Sequence, residues 1–416
     1  MAQYSGQYAD LKVQAEKIMK IGISLLSARP HRTGVENVAL NLITQLGRMD
    51  GEDEYVVYAD TRNVPWLSNV PGRIRIVDVR LSCRRSLWTW EHLFFLTSRR
   101  PKEVDVVHFP IGGGVVAYHG KFVLTIHDIK HYSNRELVKL RRHLLWRLWL
   151  KANLHRAAKI ITVSEQVKRD ILREFPVCAD SIRVIPNGVD QRFRPTAGTQ
   201  VFRAKYRFPE RYVLFVGQTQ TNKNIRRAID AITVVRKKYG LDHQFIVAGM
   251  PSEDDARLKK YVDSNNLRDT VRFIGYVDDN DLPELYANAE LFLFPSLTEG
   301  FGIPPLEAMG CGVPVVAAHA SCLPEVLGDA AIWVNPLSVA SIAEGVATAL
   351  LDKKARSMAI AKGLSRVKQF TWEKMAFETV NVYRKVAGSS MMRSPVRDSG
   401  DATTACGRVG SQDALR

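Results

Sequence analysis

The sequence predicts an α/β protein of two doubly wound domains, and three observations lead there. Short β-branched strands alternate with helical patterns in two separate blocks, the arrangement that builds parallel sheets covered by helices. Between the blocks, residues 190–210 (DQRFRPTAGTQVFRAKYRFPE) carry Pro195, Gly198 and polar residues that interrupt both periodicities. The 416 residues are also too many for one ordinary core.

In the first block the expected strands are IGISLL (21–26), EYVVYA (54–59), RIRIVDV (73–79), DVVHF (105–109), KFVLTIHD (121–128), KIITVS (159–164) and IRVIPNG (182–188). In the second they are RYVLFVG (211–217), HQFIVAG (243–249), VRFIG (271–275), LFLFPS (291–296), VPVVAA (313–318) and AAIWV (330–334). A last helix over 370–387 takes Thr371 as its N-cap, with Glu373 and Lys374 in its first turn. The chain thus divides into an N-terminal extension (1–18), an N-terminal domain (19–195), a C-terminal domain (205–370), a C-terminal helix (371–387) packing back toward the first domain, and a tail (388–416). That tail has no periodicity and is expected to be disordered. A cleft between two such domains lets the strand ends of both meet one ligand.

Composition sets bounds on function. With 46% apolar and 25% charged residues the chain is that of a packed globular protein. Its first twenty residues are polar where a signal peptide is apolar, and no stretch reaches about eighteen uncharged apolar residues. A cytoplasmic protein is expected. The cysteines, Cys83, Cys178, Cys311, Cys322 and Cys406, form an odd, scattered set without metal spacing and read as reduced thiols. A net charge of +16 implies attraction to phosphate-rich partners. An RNA-binding module would place its basic and aromatic residues on a recognisable nucleic-acid fold. None is legible, so no nucleic-acid partner is expected.

The chemistry concentrates in FPSLTEGFGIPPLEAMGCGVPVVAAH (294–319), where Glu299 and Glu307 bracket a glycine-framed turn and a proline pair. Gly300 and Gly302 let the backbone approach a ligand. The amides of Phe301, Gly302 and Ile303 fall at a helix start, where N–H donors and the positive dipole end suit a phosphate. Glu307, on that helix, suits a sugar diol, whose hydroxyls its two oxygens can accept. The plainer reading, a tight strand-to-helix turn followed by a carboxylate that favours the helix dipole, stays open. The acidic run DDND (278–281) reads as a helix N-cap rather than a cation site, and no metal is expected.

PSLTEGFGIPPLEAMGCGVPVVA resembles the nucleotide-sugar motif of the retaining family 4 glycosyltransferases, enzymes of the GT-B architecture with two facing Rossmann-like domains. The likeness continues through ITVSEQVKRDI, IRVIPNGVD, FVGQTQTNKNIRRAI, IGYVDDNDLPELYANAELFLFPS and FTWEKMAFETVNVY, so it covers roughly residues 20–387. It implies roles residue by residue. Gly34, in the first βα loop, lets its backbone approach the diphosphate. His127 contacts the transferred sugar, with Asp128 beside it. Lys223, a few residues past the strand-end Gly217, neutralises the leaving diphosphate. Glu299 binds hydroxyls of the sugar, and Glu307 the ribose. Ser164 and Asn187 fall on positions that line the cleft in the family, where they either meet a ligand or serve only capping and hinge geometry. Many relatives add an arginine beside that glycine or that lysine; here Gln218 and Asn222 stand there, so either Arg226 or Arg227 reaches in or one positive charge suffices.

The resemblance also implies front-face substitution with retention. The departing phosphate oxygen takes the acceptor's proton, and no carboxylate nucleophile is needed. The LWTWEH helix resembles that of mannosyl- and related transferases of bacterial surface polysaccharides, which favours GDP-mannose over UDP-sugars as donor and a glycan or lipid-linked acceptor. A nucleotide-sugar epimerase of the same architecture and a catalytically impaired scaffold are the alternatives.

Two segments, 83–101 and 136–159, mix Trp88, Trp90, Phe94, Phe95, Trp146 and Trp149 with Arg84, Arg85, Arg99 and Arg100. Such mixtures suit a headgroup interface, and peripheral contact with an anionic membrane is expected from them. The competing reading is a core helix with snorkelling arginines.

Overall fold

The structure, a computed structural model, describes residues 18–30, 33–80, 87–98, 100–112, 114–116, 118–129, 140–196, 205–206 and 208–388. The expected extension and tail fall almost wholly outside this set, as do Cys83, Cys406, Arg84, Arg85 and Arg99.

Strands β1 (Lys20–Ser24), β2 (Glu54–Ala59), β3 (Ile74–Asp78), β4 (Val106–Phe109), β5 (Phe122–Ile126), β6 (Lys159–Thr162) and β7 (Ile182–Val184) make one sheet. Its order is β3-β2-β1-β4-β5-β6-β7. Strands β8 (Tyr212–Val216), β9 (Gln244–Ala248), β10 (Val271–Gly275), β11 (Leu291–Phe294), β12 (Val315–Ala318) and β13 (Ile332–Val334) make the second, in the order β10-β9-β8-β11-β12-β13. Every pairing is parallel: Ile21 lies opposite both Tyr55 and Val106, and Val213 opposite both Phe245 and Leu291. β8 and β11 read as unbroken apolar runs because helices cover both faces of such a sheet.

Those helices are α1 (Gly34–Arg48), α2 (Leu87–Thr97), α3 (Leu140–Arg156), α4 (Glu165–Glu174), α5 (Ile225–Tyr239), α6 (Asp255–Ser264), α7 (Leu282–Ala287), α8 (Ile303–Gly310), α9 (Leu323–Leu327), α10 (Val339–Leu351), α11 (Lys353–Val367) and α12 (Trp372–Ala387). Strand order reverses between β1 and β4 in one sheet and between β8 and β11 in the other. Loops leaving these strands diverge there and open a crevice.

The strands stop earlier than their sequence patterns do. β5 ends at Ile126, β6 at Thr162, β7 at Val184 and β11 at Phe294, which frees His127, Ser164, Asn187 and Pro295 for loops. Gly34 is not in the first βα loop but opens α1 after the N-cap Thr33. Asp281 sits at the N-cap position of α7 without capping it. Its carboxylate takes Lys205 (2.6 Å) and the Tyr206 hydroxyl instead, because two charge-assisted partners outcompete a free amide.

The chain crosses between the domains twice, and the crossings touch. The Val189 amide donates to the Phe370 carbonyl (3.0 Å), and a Cβ on Gly188 would lie 2.3 Å from the Trp372 nitrogen. From there α12, capped by Thr371 Oγ1 accepting from the Lys374 amide (3.1 Å), runs onto the first domain. Tyr383 bonds His108 Nδ1 (2.6 Å), and Arg384 pairs with Asp53 (3.0 Å).

In the described parts of the basic-aromatic segments several rings turn inward. Phe95 is buried among Tyr58, Phe109 and Tyr118, and Trp149 donates to His92 (3.2 Å), joining α3 to α2. Arg147 pairs with Glu174 (2.9 Å) over the Phe175 ring. Among the described side chains, the exposed large apolar ones here are Leu144, Leu145 and Leu148 on α3 and Leu93 and Leu96 on α2. Interior partners claim the Phe95 and Trp149 rings, and these leucines are left outside.

Candidate active site

The loops after β8 and β11 are laced together. Asn224, held at φ 60°, donates to the carbonyls of Pro295 (3.1 Å) and Pro336 (2.7 Å). Asn222 donates to Thr298 O (3.0 Å) and accepts from the Leu297 amide (2.7 Å). The lacing brings Lys223 Nζ to 2.6 Å from Glu299 Oε1, with both side chains mostly buried (15% and 10% exposed). Lys223 also stands 5.6 Å from the Phe294 ring centroid, and Gln218 is held by Gln220 (3.0 Å). Two groups expected to meet a donor separately are thus each other's partners, a low-lying ion pair at the switch point of the second sheet.

Gly217 follows β8 at φ +151°, and the β9 loop approaches so closely that a Cβ on Gly249 would lie 2.2 Å from the Gly217 oxygen. Neither candidate arginine is turned to the ion pair. Arg226 lies over the Tyr261 ring (3.3 Å) and beside Asp230 (3.5 Å), while Arg227 props Asn224 (2.9 Å).

α8 begins after Gly302, at φ +94°. Pro304 and Pro305 in its first turn have no N–H, which leaves the amides of Phe301, Gly302 and Ile303 as the donors of this turn. One turn on, Glu307 Oε2 accepts from the Tyr286 hydroxyl (2.7 Å). Part of Glu307 stays accessible, but its carboxyl sits deep among protein atoms. Burial pushes it up to about 7, against the pull of the Tyr286 hydrogen bond and of Arg192.

Across the cleft, His127 Nε2 donates to the Pro110 carbonyl (2.8 Å). A carbonyl only accepts, so the ring's hydrogen is on Nε2 and Nδ1 is left as an acceptor. Burial holds the imidazole below its ordinary value and therefore neutral near pH 7, although the Pro110 carbonyl and the charges of Asp128 and Glu36 oppose the shift. Gly34 is exposed, and a Cβ there would meet no described atom of another element within 4 Å. Glu36 steadies that start by accepting from the amides of Thr33 (3.0 Å) and Arg29 (3.3 Å). Asn187 is buried in the crossing segment.

Ser164 is committed elsewhere than to a ligand. Its hydroxyl accepts from the Val167 amide (3.2 Å) and spends its one hydrogen on the Gly300 carbonyl (2.7 Å) of the other domain. Gly300 is seated against the first domain: a Cβ there would fall 1.8 Å from the His127 oxygen.

Three residues that the sequence reading passed over belong to the site's frame. Ser321, at φ 55°, donates to Glu299 O (2.8 Å) and so braces the turn. Glu325 spans the domains. Glu91, fully buried, accepts from Ser24 at the end of β1 (2.5 Å) and is pushed up to about 7 by burial. Only Glu91 carried a legible signal, as the sole charged carboxyl in the apolar run LWTWEHLFFLT. Among the described residues, no three or more His, Cys, Asp or Glu side chains are grouped to hold a metal ion.

Known proteins share this frame. Residues 32–193 match the family model described as Glycosyltransferase Family 4, and residues 199–366 that described as Glycosyl transferases group 1. The O-antigen chain mannosyltransferase B of Escherichia coli is 34% identical over 265 residues, 63% of this chain and 70% of that protein. The chain belongs to glycosyltransferase family 4. The serotype-specific mannosyltransferase WbdA of Escherichia coli is 28% identical over 270 residues, and this glycosyltransferase spans only 33% of its length. Among solved structures, Anabaena Alr3699/HepE in complex with UDP and glucose superimposes with a TM-score of 0.70 at 18% identity, over 88% of this chain and 100% of that one. WaaG, a glycosyltransferase involved in lipopolysaccharide biosynthesis, gives 0.68 at 15%, over 87% and 99%. These neighbours identify the fold of this glycosyltransferase as GT-B.

Proposed function

We propose that this glycosyltransferase moves mannose from GDP-mannose, with retention, to a lipid-linked or oligosaccharide acceptor in surface polysaccharide assembly. The reading rests above all on the Lys223–Glu299 pair, set 2.6 Å apart at the switch point beside the amides of α8 and opposite His127. The name borne by the 34%-identical relative supports mannose as the sugar. A diphosphate entering here takes Lys223 and the α8 amides, the strongest cation and donor set the loops offer. Glu299, relieved of its lysine, turns its carboxylate to hydroxyls of the sugar. His127 Nδ1 accepts from another hydroxyl, and Glu307 accepts from the ribose. Charge building on the leaving phosphate is met by groups already in place, which is where most of the acceleration arises. The acceptor enters on the face the donor leaves, and its proton passes to the departing phosphate oxygen. With no second carboxylate placed as nucleophile among these groups, a double displacement is not invoked.

A panel of GDP- and UDP-sugars, read by nucleotide release with an acceptor glycan present, tests the reading. GDP-mannose should be consumed fastest, and the product should keep the donor's anomeric configuration. Faster use of a UDP-sugar would overturn the donor, and an inverted product the mechanism.

We further propose that the acceptor is met at a membrane surface through the leucine face of α2 and α3. Leu144, Leu145 and Leu148 are each more than half exposed, and Lys151 and His155 continue their stripe on α3. Leucines to enter the acyl boundary beside a cation, Lys151, to meet anionic headgroups are the requirements of an interfacial helix. No described helix is long and apolar enough to cross a membrane. The protein should sediment with phosphatidylglycerol vesicles at low salt, and replacing the three leucines by serine should release it. A wild-type protein left in the supernatant would remove this proposal and favour a soluble acceptor.

A further inference from the structure

Outside the donor site, the two domains meet at a second place. Glu325, in α9 of the C-terminal domain, reaches the start of α4 in the N-terminal domain. Its Oε1 accepts from the Glu165 amide (2.7 Å) and its Oε2 from the Gln166 amide (3.0 Å), with Arg169 at 3.9 Å. A carboxylate seated on two free amides at the positive end of a helix is well held, because charge-assisted hydrogen bonds and the helix dipole act together. Ser164, the preceding residue, holds Gly300 through its hydroxyl (2.7 Å). Three successive residues of one domain thus grip two points of the other.

Those two points belong to one piece of structure. Ser321 donates to the carbonyl of Glu299 (2.8 Å) and accepts from its amide (3.3 Å). Cys322 Sγ contacts Phe301 O (3.3 Å), and a Cβ on Gly302 would meet Leu323 at 2.9 Å. The segment 321–325 therefore carries the turn that bears Glu299 at one end and the clasp at the other. Arg366 fixes its far side to the domain body, donating to the carbonyls of Glu325 (2.7 Å) and Val326 (2.9 Å). Beside the clasp a cavity of about 370 Å³ opens, lined by Glu165, Lys168, Arg183, Phe370 and Lys374 among others.

We infer that Glu325 is a positioning residue for the transfer reaction: seated on the α4 amides, it holds the domains closed and sets the Glu299 turn against His127. This rests on the transferase reading for its effect on rate, but not for its effect on domain separation. Small misplacements of a reacting group are costly because the bound geometry supplies much of the acceleration.

Four proteins test it: wild type, Glu325→Ala, Glu165→Pro and the double variant. Glu165 is the first residue of α4 and follows an extended Ser164 (φ −156°, ψ 159°), so proline is accommodated there while one clasp amide is deleted. Turnover with GDP-mannose, GDP affinity by calorimetry, and the radius of gyration by small-angle scattering are measured on each. Each single variant should lose roughly tenfold or more in kcat with GDP affinity unchanged, and should scatter as a more open molecule. The double variant should lose little beyond the worse single one, since both cut the same contact. Unchanged kcat and unchanged scattering in Glu165→Pro would overturn the inference, whatever becomes of Glu325→Ala if it folds poorly. A kcat loss that adds fully in the double variant would also overturn it. If the wild type consumes no nucleotide-sugar, the proposed function fails, and the scattering comparison alone still decides the clasp.

Discussion

Glu299→Gln should abolish transfer yet leave nucleoside-diphosphate binding intact or tighter, whereas Lys223→Ala should weaken both. The asymmetry follows from the Lys223–Glu299 ion pair. At 2.6 Å and largely out of water, each partner compensates the other. Removing the carboxylate frees the lysine for the diphosphate, so affinity has no reason to fall, but the sugar loses the group that accepts from its hydroxyls. Removing the lysine strips the diphosphate of its cation and leaves the Glu299 charge facing it. The loss of a charge-assisted contact is on the order of 1.5–3 kcal/mol, or about tenfold to a hundredfold in affinity. Turnover and calorimetry on both variants check the pattern, with Arg226→Ala and Arg227→Ala as controls. Those arginines are engaged with Tyr261, Asp230 and Asn224, and neither substitution should approach the lysine's effect. An arginine variant that binds nucleotide worse than Lys223→Ala would move the diphosphate role to that arginine.

Gly300→Ala is expected to be nearly as damaging, for a steric reason. The added methyl would stand 1.8 Å from the His127 carbonyl oxygen, 2.9 Å from its carbon and 3.4 Å from Asp128 Cβ. No rotamer relieves a backbone clash. Either the turn bearing Glu299 withdraws or the domains part, and both carry the carboxylate away from the sugar. Turnover should fall by at least about a hundredfold, as misplacement of a catalytic group by an ångström does. Nucleoside-diphosphate affinity should hardly change, because Lys223, Glu307 and the α8 amides all lie in the C-terminal domain. A Gly300→Ala enzyme with ordinary turnover would show that the domains do not close on this contact during catalysis.

How much of this was legible depended on distance along the chain. Buried parallel strands such as LFLF and YVLFV announce themselves as apolar runs, so both sheets could be read directly. The turn 299–303 was legible too, because glycines and prolines in that pattern have few other uses. What escaped were contacts between residues far apart in sequence. Nothing local in EQVKRD tells that its first two amides face Glu325, and nothing in PSLTEG tells that Glu299 rests on Lys223. Asp281 misled for a related reason: its position is that of an N-cap, but Lys205 and Tyr206 arrive from elsewhere and take its oxygens. The tryptophans of α3 suggested an interface, yet a ring finds interior partners wherever a core offers them.

The account turns on an exchange of partners at Lys223, and a structure with GDP-mannose bound measures that exchange most directly. It predicts Lys223 Nζ within about 3 Å of a diphosphate oxygen, the distance of a charge-assisted hydrogen bond, with the Glu299 carboxylate swung onto hydroxyls of the sugar. A bound donor with the Lys223–Glu299 contact still at 2.6 Å, and its phosphates held by other groups, would contradict it.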